Sequence, residues 1–327
     1  MAHGVCLMPL RFVIIGLGIL CLAVAIAWIF WPKRGPSPEA VARAYEAPLP
    51  APDQGLQVYH LGHSLVGRDM PAMLTQLAQA GGQDGHSHES QLGWGTSLRE
   101  HYEPDLPING FEAENDHPRY RDAAEALGSG DYDAVILTEM VELRDAIRYH
   151  KSGRYLHLWA ERAREGNPDV RVYLYETWHH LDDPEGWLLR LDRDLERYWM
   201  AELLHKDLAE NPERPIHVIP AGQVMAAFVR RVEEKGAVGN VAAAADLFAR
   251  RDDGSLDTIH VNDLGAYLVA LTHYAVLYHS SPVGLPHRLS RADGSPANMP
   301  DPDTARLMQE VVWDIVSGMP QTGVATR

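Results

Sequence analysis

The chain predicts an α/β domain built in three layers, with a central, mostly parallel five-stranded sheet between helices, set behind a single transmembrane helix. Two observations predict the domain and a third the anchor. Five short apolar runs alternate with segments of helical period, the pattern of a parallel sheet covered on both faces. The composition, 46% hydrophobic and 23% charged over 327 residues, supplies a core large enough to cover such a sheet. Residues 12–31 carry no charge and are bounded by Arg11 on one side and by Lys33 and Arg34 on the other.

Residues 1–11 read as a short tail and residues 12–31 as the anchor, since about 20 apolar residues span a hydrocarbon core of about 30 Å. Trp28 and Trp31 sit where an aromatic belt lies. Ala25-Ile26-Ala27 resembles a signal-peptide cleavage site, but the apolar run continues to Trp31, which favours an uncleaved anchor. Arg11 and the terminal amine oppose Lys33, Arg34 and Arg43 across the span. By analogy with short-tailed signal anchors, the body is expected outside the cytoplasm of a single-pass membrane protein. Residues 32–53, rich in Pro and Ala, read as a semi-extended linker, and residues 54–327 as the domain.

The domain opens with a strand (Leu56, Val58, Tyr59, Leu61) that runs into Gly62, His63 and Ser64. A helix follows over residues 69–80, with Asp69 as cap, Pro71 in the first turn and Met73, Leu74, Leu77 and Ala78 inward. Residues 86–92 form a second strand, Gly93 to Leu98 a glycine-rich turn into a helix, and residues 104–118 an irregular surface loop. Residues 120–127 are helical and residues 134–138 a buried strand; helix to about residue 165 and strand 171–176 come next. A long amphipathic helix (185–210), a fifth strand (216–219) and another helix (222–234) complete the alternation. Residues 252–260 read as a loop, after which Asn262 or Asp263 caps a helix with Leu264, Tyr267, Leu268, Leu271 and Ala275 inward. A final helix covers residues 303–317.

Charge and cysteines exclude whole classes of function. A formal charge of −16 repels any phosphate backbone, so nucleic acid is not an expected partner. Cys6 and Cys21 both precede the domain, which therefore has neither disulfides nor a thiolate metal site. His86, His88, His179 and His180 fall into no zinc-binding spacing, so no metal and no cofactor is expected.

Ser64 lies just beyond a strand's C-terminal end, where an α/β sheet presents ligand-binding and reactive groups. A serine hydroxyl is a weak nucleophile without a base, and the base needs an acid to set its tautomer. Asp257 and His260, three apart before a helix, supply both; the bland alternative is a capping serine, a loop Asp and a solvated His. Trp94 and Trp178 fall at strand ends beside the expected pocket, where they stack on a sugar ring or pack in the core or at the rim.

Gly62-His63-Ser64, Asp257-Thr258-Ile259-His260 and the continuation to Leu268 together resemble the SGNH or GDSL-like hydrolases, over about residues 56–278. The resemblance implies a flavodoxin-like single domain and a Ser64-His260-Asp257 triad. It further implies an oxyanion hole of the Ser64 and Gly95 amides, with Gly93 as the fallback. Two departures stand out. His63 replaces the family's aspartate, and Thr138-Glu139 stands where the family carries an asparagine, leaving Thr138 as a candidate donor and Glu139, with His63, as a pocket residue. The resemblance implies a membrane-tethered serine esterase acting on a small-molecule or carbohydrate ester, such as O-acetyl groups of an envelope or extracellular polysaccharide. Acyl transfer by the same triad, or a binding module that kept the fold and lost the chemistry, are the alternatives. The oligomeric state is not legible.

Overall fold

In the computed structural model, which describes Met1 and residues 35–325, five strands pair in the order β2-β1-β3-β4-β5, all parallel. They are β1 (Gln57–His63), β2 (Ser87–Gly93), β3 (Ala134–Leu137), β4 (Arg171–Glu176) and β5 (His217–Pro220). This is the flavodoxin-like order, whose switch point lies between β1 and β3. Every residue of β3 and β5 is buried, as expected of strands covered on both faces.

Side chains alternate between two cores, as a pleated strand requires. Val58, Ile136, Tyr173 and Ile219 point to one face, and Tyr59, Val135, Val172 and Val218 to the other. The helices in chain order are α1 (Pro38–Ala44), α2 (Asp69–Ala80), α3 (Leu98–Tyr102), α4 (Phe111–Asn115), α5 (Ala123–Ser129), α6 (Ser152–Gly166), α7 (Trp187–Asp194), α8 (Ala221–Lys235), α9 (Asp263–Tyr278) and α10 (Pro302–Gly318). The first core packs α2, α8, α9 and α10, and the second α5, α6 and the segment that prolongs α7 through wider turns over Leu195–Leu204.

Several expectations need correction. The segment read as a semi-extended linker carries α1, and Tyr45 behind it is buried, its hydroxyl donating to the Ile216 carbonyl at 2.8 Å. Asp69 is the first residue of α2 rather than its cap, and its carboxylate accepts from Ala292 N–H at 2.9 Å. The loop of residues 104–118 contains α4, pinned by Asn115, whose side chain bonds both backbone groups of Leu92. The helix expected over 120–127 starts at Ala123, with Asp122 as its cap. α9 is buried on every side rather than on one stripe, because it is packed between α2 and α10, and Asn262 is its cap.

Residues 252–260 hold the largest difference. A two-stranded antiparallel ribbon, β6 (Phe248–Arg250) with β7 (Leu256–Val261), stands where a loop was expected. The transmembrane reading of residues 12–31 lies outside the described residues, and among the described residues no helix is long and apolar enough to cross a membrane.

Candidate active site

β1 delivers the serine. A Cβ at Gly62 would lie 2.6 Å from Thr138 Cβ, so glycine is what lets β1 run this close to β3. The chain then turns, with Val66 N–H donating to the His63 carbonyl at 2.9 Å, and Ser64 is left beyond the strand end at the switch point.

The ribbon delivers the base. Phe248 pairs with Val261 and Arg250 with Leu256, so β7 spans more residues between its pairing points than β6 does, and the excess bulges. Asp257 and His260 sit in that bulge. One carboxylate oxygen of Asp257 accepts from the amides of Ile259 and His260, each at 3.0 Å, which curls the backbone and brings residues three apart side by side. The other oxygen lies 2.9 Å from His260 Nδ1, and His260 Nε2 lies 2.9 Å from Ser64 Oγ. The three sequence-predicted catalytic residues therefore form one hydrogen-bonded line. Partial burial works to raise the Asp257 carboxyl, but the His260 ring and the two amides outweigh it and bring it to about 2. It remains a carboxylate, and it holds the Nδ1 proton so that Nε2 faces the hydroxyl as an acceptor.

Ser64, His260 and Gly95 line a cleft of about 510 Å³ with His63, Leu65, Trp94, Glu114, Val141, His180 and Ile259. Among the described residues, neither the Ser64 nor the Gly95 amide donates to a protein acceptor, and both border the cleft. Gly95 has φ +57, a left-handed conformation that glycine adopts without strain. The fallback, Gly93, serves packing instead, since a Cβ there would run into Thr96 and Ile108.

The two departures from the family pattern resolve into supporting contacts. His63 Nε2–H donates to the Glu139 carbonyl at 2.9 Å, while Nδ1 accepts from Leu65 N–H at 3.4 Å. Burial pushes the ring down to about 4, so it stays neutral, tied to the Glu139 carbonyl just beyond β3. Glu139 is fully buried, and burial pushes its carboxyl up to about 7. It accepts from Leu98 N–H at 3.2 Å and Met140 N–H at 2.8 Å, and so tethers the start of α3 rather than lining the cleft.

Thr138 also stands apart from the cleft, its hydroxyl buried against Gly62, so its expected donor role is not supported by its position. Trp178, expected in the pocket, is 1% exposed and donates to the Ile259 carbonyl at 2.8 Å. With Leu181 N–H, which donates to the Thr258 carbonyl at 2.7 Å, it clamps the catalytic bulge.

Sequence reasoning missed the cleft's far wall. Glu114 belongs to α4, hidden in a segment without hydrophobic period, and its carboxylate accepts the Trp94 indole N–H at 2.7 Å. Val141 and His180 sit on loops set by Arg190, which reaches Glu142 at 2.9 Å, Asp183 at 2.6 Å and Asp194 at 2.6 Å. Among the described residues, no group of three or more His, Cys, Asp or Glu is arranged to hold a metal ion.

No protein-family model and no curated protein sequence matches the chain. A solved structure of a DUF4886 family protein from Bacteroides uniformis superposes on 80% of this chain and 95% of its own at a TM-score of 0.51, with 16% identity. That likeness establishes the fold. At lower similarity stand a protein described as a GDSL-like lipase from Parabacteroides merdae (14% identity, TM-score 0.40, 69% of this chain and 96% of that one) and a carbohydrate esterase family 3 from Talaromyces cellulolyticus (16%, 0.36, 68% and 96%). Each of these likenesses is distant in sequence.

Proposed function

We propose that the protein is a serine carboxylic-ester hydrolase, tethered to a membrane through residues 12–31 and removing acyl groups, such as O-acetyl, from an envelope or extracellular polysaccharide. The observation that carries the chemistry is the line Ser64 Oγ to His260 Nε2 to Asp257, 2.9 Å at each step, beside two unengaged amides.

In the reaction His260 Nε2 takes the Ser64 proton as Oγ attacks the ester carbonyl. The negative charge that develops on the carbonyl oxygen is met by the Ser64 and Gly95 N–H groups, each such donor contributing on the order of 10²- to 10³-fold in rate. The C–O bond to the alcohol breaks as the imidazolium returns the proton to the leaving oxygen, leaving an acyl-serine. Water, deprotonated by the same ring, attacks the acyl carbon; the Ser64–acyl bond breaks as the imidazolium returns that proton to Ser64 Oγ, and the free acid departs. Asp257 stabilises the imidazolium in both halves. The tie of His63 to the Glu139 carbonyl supports a working site over a relic, because both ring nitrogens are engaged by backbone groups and neither is left to compete with Ser64 for His260.

The full-length protein is treated with a serine-reactive phosphonate and assayed on a short acyl ester beside Ser64→Ala. Labelling and turnover of wild type, both lost in the variant, are expected. A wild type that neither labels nor outpaces Ser64→Ala refutes the reading.

A further inference from the structure

The cleft contains a feature that ester cleavage itself does not need. Trp94 is 55% exposed, yet it is tightly held. One face of its indole packs on Gly110, where a Cβ would run into the ring, and its N–H is fixed by Glu114 at 2.7 Å. Its own backbone N–H donates to the Asn109 carbonyl at 2.7 Å. Gly110 has φ +69, so the position suits glycine for its backbone as well as for its lack of a side chain. The other indole face looks onto the cleft that holds Ser64 and His260.

A large aromatic face left in water is costly unless something covers it, and here the ring has been immobilised before its occupant arrives. The polar groups around it narrow the choice of occupant. Glu114 uses one carboxylate oxygen for the indole and leaves the other at the ring's edge. His180 holds Thr258 Oγ1 through Nδ1 at 3.2 Å, which turns Nε2 to the other side of its ring, and His180 lines the same cleft. A flat apolar face with a carboxylate at its edge, in a cleft that also holds an imidazole, matches a pyranose, which carries C–H groups on one face and hydroxyls around its edge. An acyl chain would use the face and leave the rim unpaired.

We infer that Trp94, with Glu114 and His180, forms a subsite that binds a pyranose ring of the alcohol half of the ester, stacked on the indole with its hydroxyls on the two polar side chains. The inference rests on the esterase reading and deepens it, because it names the group that the alcohol side of the cleft recognises.

Two measurements separate the two claims. The first is kcat/KM of the full-length protein on mono-O-acetylated methyl glucopyranosides against ethyl acetate, which has no ring. Trp94→Ala is expected to lower the sugar-to-ethyl ratio at least tenfold, and Glu114→Ala severalfold; a ratio unchanged within twofold in Trp94→Ala overturns the subsite. An unchanged circular dichroism spectrum and melting temperature report that each variant folds. The second is calorimetric titration of Ser64→Ala with the same acetylated glucosides, which reads the subsite without chemistry. Binding that Trp94→Ala in this background weakens tenfold supports the subsite even if wild type cleaves no ester, in which case only the hydrolase reading falls. Absence of binding at millimolar sugar overturns the subsite and leaves the triad untouched.

Discussion

Lowering the pH from 7.5 to 5 is expected to strip the fold of stability through histidines remote from the cleft. His60 of β1, His88 of β2 and His273 of α9 meet beneath the sheet, with ring centroids 6.3 Å apart for His60 and His88 and 5.9 Å for His60 and His273. Neither ring nitrogen of His60 has a hydrogen-bond partner among the described residues. Burial, reinforced by the neighbouring rings, pushes His60 well below the ordinary histidine range. Burial likewise brings His273 to about 4, and burial with the nearby Arg119 charge brings His88 to about 3. In the unfolded chain each titrates near 6.5, so below that pH the unfolded state holds more protons and stability falls as pH falls. At pH 5 each ring costs about 2 kcal/mol, roughly 6 for the three, comparable with the whole stability of a domain. Glu139 and Glu176, raised by burial to about 7 and about 8, act in the opposite sense over the same range. The diagnostic quantity is therefore a difference between variants. Urea unfolding followed by tryptophan fluorescence from pH 7.5 to 5 gives the slope of stability with pH. His60→Leu is expected to reduce that slope by about 1.2 kcal/mol per pH unit between pH 6 and 5 and to cost nothing at pH 7.5, where an unpartnered polar ring is exchanged for an apolar group. Parallel slopes in wild type and variant would refute proton uptake by His60 on unfolding.

Three further outcomes follow from contacts already described. Asp257→Asn is expected to lower kcat on a short acyl ester by about 10³- to 10⁴-fold with little change in melting temperature, because the tautomer of His260 is lost; a loss below tenfold would remove Asp257 from the triad. Gly62→Ala places a Cβ 2.6 Å from Thr138 Cβ and is expected to destabilise by about 1–3 kcal/mol in calorimetry, with part of the loss recovered in Gly62→Ala/Thr138→Ala. Arg190→Met leaves Asp183 without its cation and the buried Asp194 with Arg193 alone, and is expected to cost about 3–5 kcal/mol in thermal unfolding, whereas a neutral result would mean that the cluster relaxes into solvent.

The five-stranded sheet was legible because its strands are buried on both faces, and an apolar run such as Ala134 to Leu137 has no other environment available. Ser64 and the Asp257–His260 pair were legible because hydroxyl, imidazole and carboxylate recur at fixed local spacings. What stayed hidden depends on contacts distant in sequence. Thr138 and Trp178 sit at strand ends just as pocket residues do, and only the closeness of Thr138 to Gly62 and of Trp178 to the Ile259 carbonyl assigns them to the core. α4 has five residues, too few to display a helical period, so Glu114 stayed invisible. β7 concealed itself because its bulge breaks the alternation by which a strand is recognised.

That bulge has a consequence for control. The nucleophile rides on the large sheet, while its base rides on a separate two-stranded ribbon, fastened across the gap by Trp178 and Leu181. Registration of the two halves thus rests on contacts separate from those that pair the large sheet. A change that shifts the ribbon without unfolding the sheet is expected to make a phosphonate titration count fewer reactive serines than folded molecules. The handle for silencing such a catalyst lies in a buried indole behind the ribbon, out of reach of anything that competes for the cleft.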